Sequence, residues 1–134
     1  MTIQVAVLCD AATDYNGKLN LLGTFDTIVT QQLPVHHPQC SVAARINFER
    51  NEEGPHKLHI NFVDEDGQPI MSPIEVPLDV VFPPDATFLS RNFIINMQQV
   101  KFDKAGLYSI DLAIDNRRIT SIPLAVKYLE PPKQ

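Results

Sequence analysis

Apolar and polar side chains alternate at every second position over several short stretches of the chain, and nowhere is an apolar period near 3.6 residues sustained. Val42, Ala44, Ile46 and Phe48 share one parity, while Arg45, Asn47 and Glu49 take the other. That is a strand with one dry face and one wet face. Beyond the loop NEEGP the pattern resumes, with Leu58, Ile60 and Phe62 set against His59 and Asn61, which predicts an antiparallel partner for the preceding strand. Phe93, Ile95 and Met97 alternate again, and Val100 and Phe102 resume out of phase after Gln98-Gln99, the signature of a β-bulge. Tyr108, Ile110, Leu112 and Ile114 form another inward set. After a turn at Asp115-Asn116, Ile122, Leu124, Val126 and Tyr128 return.

The amino-terminal stretch is different, because Ile3 to Cys9 is apolar on both parities. Both of its faces need cover, so a central strand is expected. Asn16-Gly17 then predicts a hairpin, since both residues accept the positive φ of a type I′ turn, with a return strand from Lys18 to Leu22 ended by Gly23. Phe25 to Thr30 reads as a further short strand, and QQLPVHHPQ, which has no periodicity, as a connection crossing between sheets. Asp66-Gly67 marks another tight turn. Five prolines between Pro69 and Pro84 surround Ile74, Val76, Leu78 and Val80. A proline cannot donate to a ladder, so this stretch belongs at a sheet edge, where it also discourages pairing with other molecules. Gly106-Leu107-Tyr108 has the form of a tyrosine corner, in which a buried ring is held by a bond from its hydroxyl to upstream backbone.

Together these elements predict an all-β fold: a two-sheet antiparallel sandwich, immunoglobulin-like or C2-like, of about eight or nine strands. At 134 residues the chain is expected to be a single domain over residues 1–130, with a tail at 131–134. A net charge of −5 offers no broad positive field for phosphates, so nucleic acid is not expected as a partner. No stretch is apolar enough to span a membrane, and Ile3 to Cys9, cut off by Asp10, is too short for a secretion signal. A cytoplasmic protein with Cys9 and Cys40 as reduced thiols is the expectation.

Leu8, Asp10, Ala11 and the run Gly17-Lys18-Leu19-Asn20-Leu21-Leu22-Gly23, followed late in the chain by Gly106 to Tyr108, resemble an uncharacterised bacterial family of small β-sandwich proteins. That family, a domain of unknown function, opens with an A-D pair and a G-K-L-N-x-x-G hairpin. Here Cys9 replaces a small residue, and Asp10-Ala11-Ala12 varies the usual run. The resemblance implies a β-sandwich without established activity, and it brings no catalytic residues.

Three constellations could carry chemistry. Asp10 and Asp14 near one turn, with Asp64 and Asp66 at another, are the metal candidates: a calcium site needs hard oxygen ligands converging from loops. Asp-x-Asp-Gly is also what a hairpin turn selects, because aspartate bonds its own backbone and glycine takes positive φ. His36, His37, Cys40, His56 and His59 lack the paired spacing of structural zinc sites. No serine sits in a nucleophile elbow, glycines do not cluster into a phosphate cradle, and Cys9 in an apolar strand is a poor thiolate. The expectation is therefore a non-enzymatic protein-interaction or self-assembly module without cofactors. Its alternative is a sandwich that binds calcium or a small ligand at its loop end.

Overall fold

The computed structural model describes residues 1–132 and places nine strands in two facing sheets. The four-stranded sheet contains β1 (Thr2–Tyr15), β2 (Lys18–Thr24), β4 (Val35–Glu49) and β7 (Phe88–Phe102), in the order β2-β1-β4-β7. The five-stranded sheet contains β3 (Thr27–Thr30), β5 (Gly54–Asp64), β6 (Ile74–Val80), β8 (Gly106–Ile114) and β9 (Arg117–Tyr128), in the order β3-β9-β8-β5-β6. The sandwich is thus as the alternation implies, with one departure: β3 pairs with β9 in parallel. Strands end at Tyr128, and the tail expected at 131–134 falls partly outside the described residues.

The dry parities interleave between the sheets. Ile46 and Phe48 from β4 and Phe102 from β7 are buried in one cluster with Leu58, Ile110 and Leu112 from the opposite sheet. Phe102 meets Phe62 and Tyr108 edge-on, with ring centroids 5.7 and 5.0 Å apart, the geometry that aromatic quadrupoles favour. The Tyr108 hydroxyl donates to the Lys104 carbonyl at 2.6 Å, so the tyrosine corner read at Gly106 to Tyr108 is present. Burial raises the phenol above its ordinary pKa and keeps it a donor. The three tight turns also form: Asn16 and Gly17 take φ of 53° and 77°, Gly67 takes 78°, and Asp115 and Asn116 take 51° and 69°.

Three expectations change. Val42–Phe48 and Leu58–Phe62 are not ladder partners, because β4 pairs with β1 and β7 while β5 pairs with β6 and β8. The short link between them, a 3₁₀ turn at Arg50–Glu52, carries the chain from one sheet to the other. Second, β4 begins at Val35, so VHHPQ is strand and only residues 31–34 make the crossing. Pro38 is tolerated because β1 pairs with β4 only as far as Ser41, leaving no donor to supply on that side. Third, Gln98-Gln99 is not a bulge against β4, since the pairs His37–Val100 and Gln39–Gln98 keep one register. Gln99 adopts φ of 52°, and the inward phase steps by one residue in both strands at the same level: Val35 then Cys40 in β4, Met97 then Val100 in β7.

Candidate functional site

The outer face of the four-stranded sheet carries an unexpected cover. Cys9, Ser41 and Ala43 lie on the parity opposite to Leu8, Val42 and Ala44, yet all three are fully buried and stand apart from the main core. The reason lies in β1, which continues past Cys9 into the β1–β2 hairpin. Were β1 straight, the hairpin tip would be tens of ångströms from the level of Val5. Instead the Gly17 carbonyl accepts from Arg45 Nη1 at 2.9 Å and from Asn92 Nδ2 at 3.2 Å, and Arg45 is the ladder partner of Val5. The hairpin therefore folds back across the sheet. Asp14 fixes the tip, accepting from the Gly17 amide at 3.0 Å and from Asn92 Nδ2 at 2.9 Å. Arg45 also donates to Asn92 Oδ1 at 2.7 Å and to Gln4 Oε1 at 3.0 Å.

Register decides which side of the hairpin looks down. Ala12 opposes Leu21 and Asp14 opposes Leu19, so these residues share the side turned to the sheet, while Tyr15 and Leu22 stand on the other and are each 69% exposed. At the base, Gly23 lies under the Asp10 carboxylate, where a Cβ would collide, and its φ of 66° is one that glycine adopts freely.

A second cluster lies at the start of β5. His56 Nδ1 contacts Asp115 Oδ2 at 2.5 Å, and Nε2 contacts the Glu52 carbonyl at 2.6 Å. Both partners are acceptors, so the ring fits here as a doubly protonated imidazolium. The Glu52 carbonyl, then Asp115, raise its pKa above the ordinary value. His56 in turn lowers Asp115, helped by the Lys57 amide, which donates to Asp115 Oδ1 at 2.9 Å. For the Glu52 carboxyl, burial alone would push upward, but the Glu49 amide, the terminal ammonium of Met1 and His56 together outweigh it. A cleft of about 690 Å³ opens beside this cluster, lined by Pro55, Lys57, Pro77 and Asp79 among others. With both ring nitrogens engaged, His56 has no free atom to serve as a general base. It ties β5, the 3₁₀ turn and the β8–β9 turn together.

The aspartates read as metal candidates are not brought together. Asp10 covers Gly23, Asp14 holds the hairpin tip, and Asp64 Oδ1 accepts from the amides of Asp66 and Gln68, both at 2.9 Å, closing the β5–β6 turn. Among the described residues no three His, Cys, Asp or Glu side chains are arranged to hold a metal ion. His36 is exposed, His37 packs on Phe25 at 5.4 Å, and Cys40 is buried in the core, so the histidines near it form no site with it. Both cysteines are free and buried. Burial raises Cys9 and pushes Cys40 up to about 11, leaving both as protonated thiols.

What stands open is backbone. In the five-stranded sheet the edges are the four-residue β3 and β6, where Pro77 sits in the strand and Pro73, Pro83 and Pro84 flank it. In the four-stranded sheet, β2 belongs to the folded-back hairpin, and the far edge is β7. That strand is 15 residues long, contains no proline and carries only Arg91 and Lys101 as charges. An unguarded edge of this length is a template for another strand.

Residues 4–127 match a family of unknown function, DUF6941. The chain belongs to that family. No curated protein matches it in sequence. Solved structures are similar at low TM-score, three of them as follows. A β-glucuronidase of glycoside hydrolase family 2 shares 13% identity at a TM-score of 0.36, over 70% of this chain and 10% of that one. A family 2 glycosyl hydrolase from Bacteroides cellulosilyticus shares 15% identity at 0.38, over 72% and 14%. The chain thus spans only those small fractions of the two hydrolases' length. An immunoglobulin-like protein, PA1606 from Pseudomonas aeruginosa, shares 13% identity at 0.39, over 90% and 91%.

In this DUF6941 chain, two features escape a reading along the sequence. The His56–Asp115 pair joins residues far apart in the chain, and only the Asp115-Asn116 turn announces one half of it. The fold-back of the hairpin has a clearer trace: the apolar residues on both parities of Ile3 to Cys9 signal that something covers each face. No helix among the described residues is long and apolar enough to cross a membrane.

Proposed function

We propose that this protein is a non-enzymatic, cytoplasmic self-assembly module in which β7 of one copy pairs antiparallel with β7 of another. The observation that carries this reading is the open 15-residue edge of β7, in a molecule whose other free edges are short, rich in prolines or folded back. The engaged nitrogens of His56 and the raised thiols support a non-catalytic role.

The strand is compatible with itself. Gln99 leaves the extended conformation, so the regular stretch runs from Phe88 to Gln98, and a twofold axis at Phe93 uses all of it. In that register Leu89 faces Met97 of the second copy and Arg91 faces Ile95, so no like charges meet. Sedimentation equilibrium from micromolar to millimolar protein tests this. The expected result is a dimer for the natural sequence and a monomer for Ile95→Lys, which sets a lysine against Arg91 of the second copy. Adding Arg91→Glu to Ile95→Lys is expected to restore the dimer. A strict monomer for the natural sequence at every concentration sinks the reading.

A further inference from the structure

The β1–β2 hairpin covers the outer face of the four-stranded sheet without being built like a piece of core. Tyr15 and Leu22 point to solvent, and Leu21, on the side turned to the sheet, is still 37% exposed. The hairpin's tip is fastened by polar contacts: Arg45 and Asn92 to the Gly17 carbonyl, and Asn92 to Asp14. The fully buried part of the floor is Cys9, Ser41 and Ala43, small side chains that offer little apolar area to grip, with the half-buried Val7 beside Ala43. Its base is narrow. Cys9 pairs with Thr24, the Phe25 amide donates to the Leu8 carbonyl at 2.9 Å, and Gly23 supplies left-handed backbone where β2 leaves.

Hydrogen bonds near the surface exchange readily with water, so a segment held by a few of them opens at far lower free energy than the molecule unfolds. The floor is the more notable half of the arrangement. Ser41 Oγ donates to Asn96 Oδ1 at 2.6 Å, and Ala43 is the ladder partner of Ile94, so the covered strip continues directly onto the outer face of β7. The tip itself rests on Asn92, within the stretch of β7 assigned above to pairing.

We propose that the β1–β2 hairpin is a strap that opens as a unit about its base at Cys9–Asp10 and Gly23–Thr24, unlatching from Arg45 and Asn92 and uncovering the strip beside β7. The closed strap holds the outer face of β7 near Asn92, and the open strap frees it for a second copy. This last consequence rests on the β7 reading, whereas the opening itself does not.

The two cysteines make the motion measurable. Cys9 lies under the strap with its thiol 3.5 Å from the Ser41 carbonyl, while Cys40 faces the main core and is reached only by wider unfolding. The full chain is treated with a water-soluble aromatic disulfide reagent, and the labelling of each cysteine is followed by peptide mass spectrometry. The expected result is that Cys9 reacts at least about tenfold faster than Cys40, and that Asn92→Ala speeds Cys9 by about a further tenfold without changing Cys40. Equal rates for the two thiols, unchanged in ratio by Asn92→Ala, overturn the strap.

Hydrogen exchange on the natural sequence decides the matter even where Asn92→Ala does not fold. Amides of Ala11 to Leu22 are expected to exchange together and well ahead of Val42 to Ile46, and equal protection overturns the proposal. Sedimentation separates the two readings. Fast Cys9 labelling in a chain that stays monomeric keeps the moving strap and removes the β7 dimer. A dimer that Asn92→Ala does not tighten removes the control of β7 by the strap.

Discussion

Two free edges, β6 and β7, lie on the same side of the sandwich, and Arg91 of β7 reaches the Asp79 carbonyl of β6 at 3.1 Å. They are built on opposite plans. β6 has seven residues with proline inside and around it, and buries Leu78 and Val80 in the core with Ile74 and Val76 half-buried against it. β7 has 15 residues without proline, and anchors itself through Phe93, Met97, Val100 and Phe102. Proline at an edge withholds donors from any incoming strand, while a long, firmly anchored edge presents them in fixed positions. The difference shows that this fold can blunt an edge and has not done so at β7.

The anchoring is the part of the contrast with the largest expected effect. Phe102→Ala removes a ring that is 1% exposed and packed against Phe62 and Tyr108. It is expected to cost about 3–5 kcal/mol in urea unfolding, against about 2–3 for Leu78→Ala in β6. Equal losses would mean that the two edges are equally fixed. A smaller effect should follow from Pro77→Val, which restores an amide donor to β6. Stability is expected to change by no more than about 1 kcal/mol. The altered chain should gain concentration-dependent association beyond that of the natural sequence, and light scattering identical to that of the natural sequence would deny the proline its guarding role.

The smallest effect is the pH dependence of the β6 side, where His56 is the ladder partner of Leu78. The histidine's pKa is raised by folding, so its contribution is complete below about 6.5 and is lost as pH climbs through the raised value. Asp115 and Glu52 are lowered, so theirs is present above the ordinary carboxylate range and lost as pH falls through the lowered values. His56→Gln is therefore expected to cost about 1 kcal/mol at pH 5.5 and less at pH 8.5. A cost that grows with pH would show that the ring is held in its neutral form.

Local signals carried most of the strands and turns. Val42 to Phe48, Asn16-Gly17, the prolines around β6 and Tyr108 each report on neighbours within a few residues, and sequence displays such relations directly. Partner choice is not local. Val42–Phe48 and Leu58–Phe62 share one alternation across a short link, which suits a hairpin and a sheet-to-sheet crossing equally well. Only the side chains opposite them in the assembled core select between the two. The candidate site was legible in the same partial way: residues 3–9 announce two covered faces, but nothing near them says that the cover is their own continuation. Of the four aspartates, Asp14 and Asp64 supply turn chemistry, Asp66 takes part through its amide, and Asp10 lies within β1 against Gly23.

The shared step at Pro38-Gln39 and Gln98-Gln99 has an evolutionary consequence. A residue gained or lost in one of these strands alone would turn every side chain beyond it to the wrong face, whereas a matched change in both restores the phase. Length changes in this family should therefore come in pairs at these two positions, one in β4 and one in β7. A lineage with a gap at only one of them would need a different way to close the end of its core.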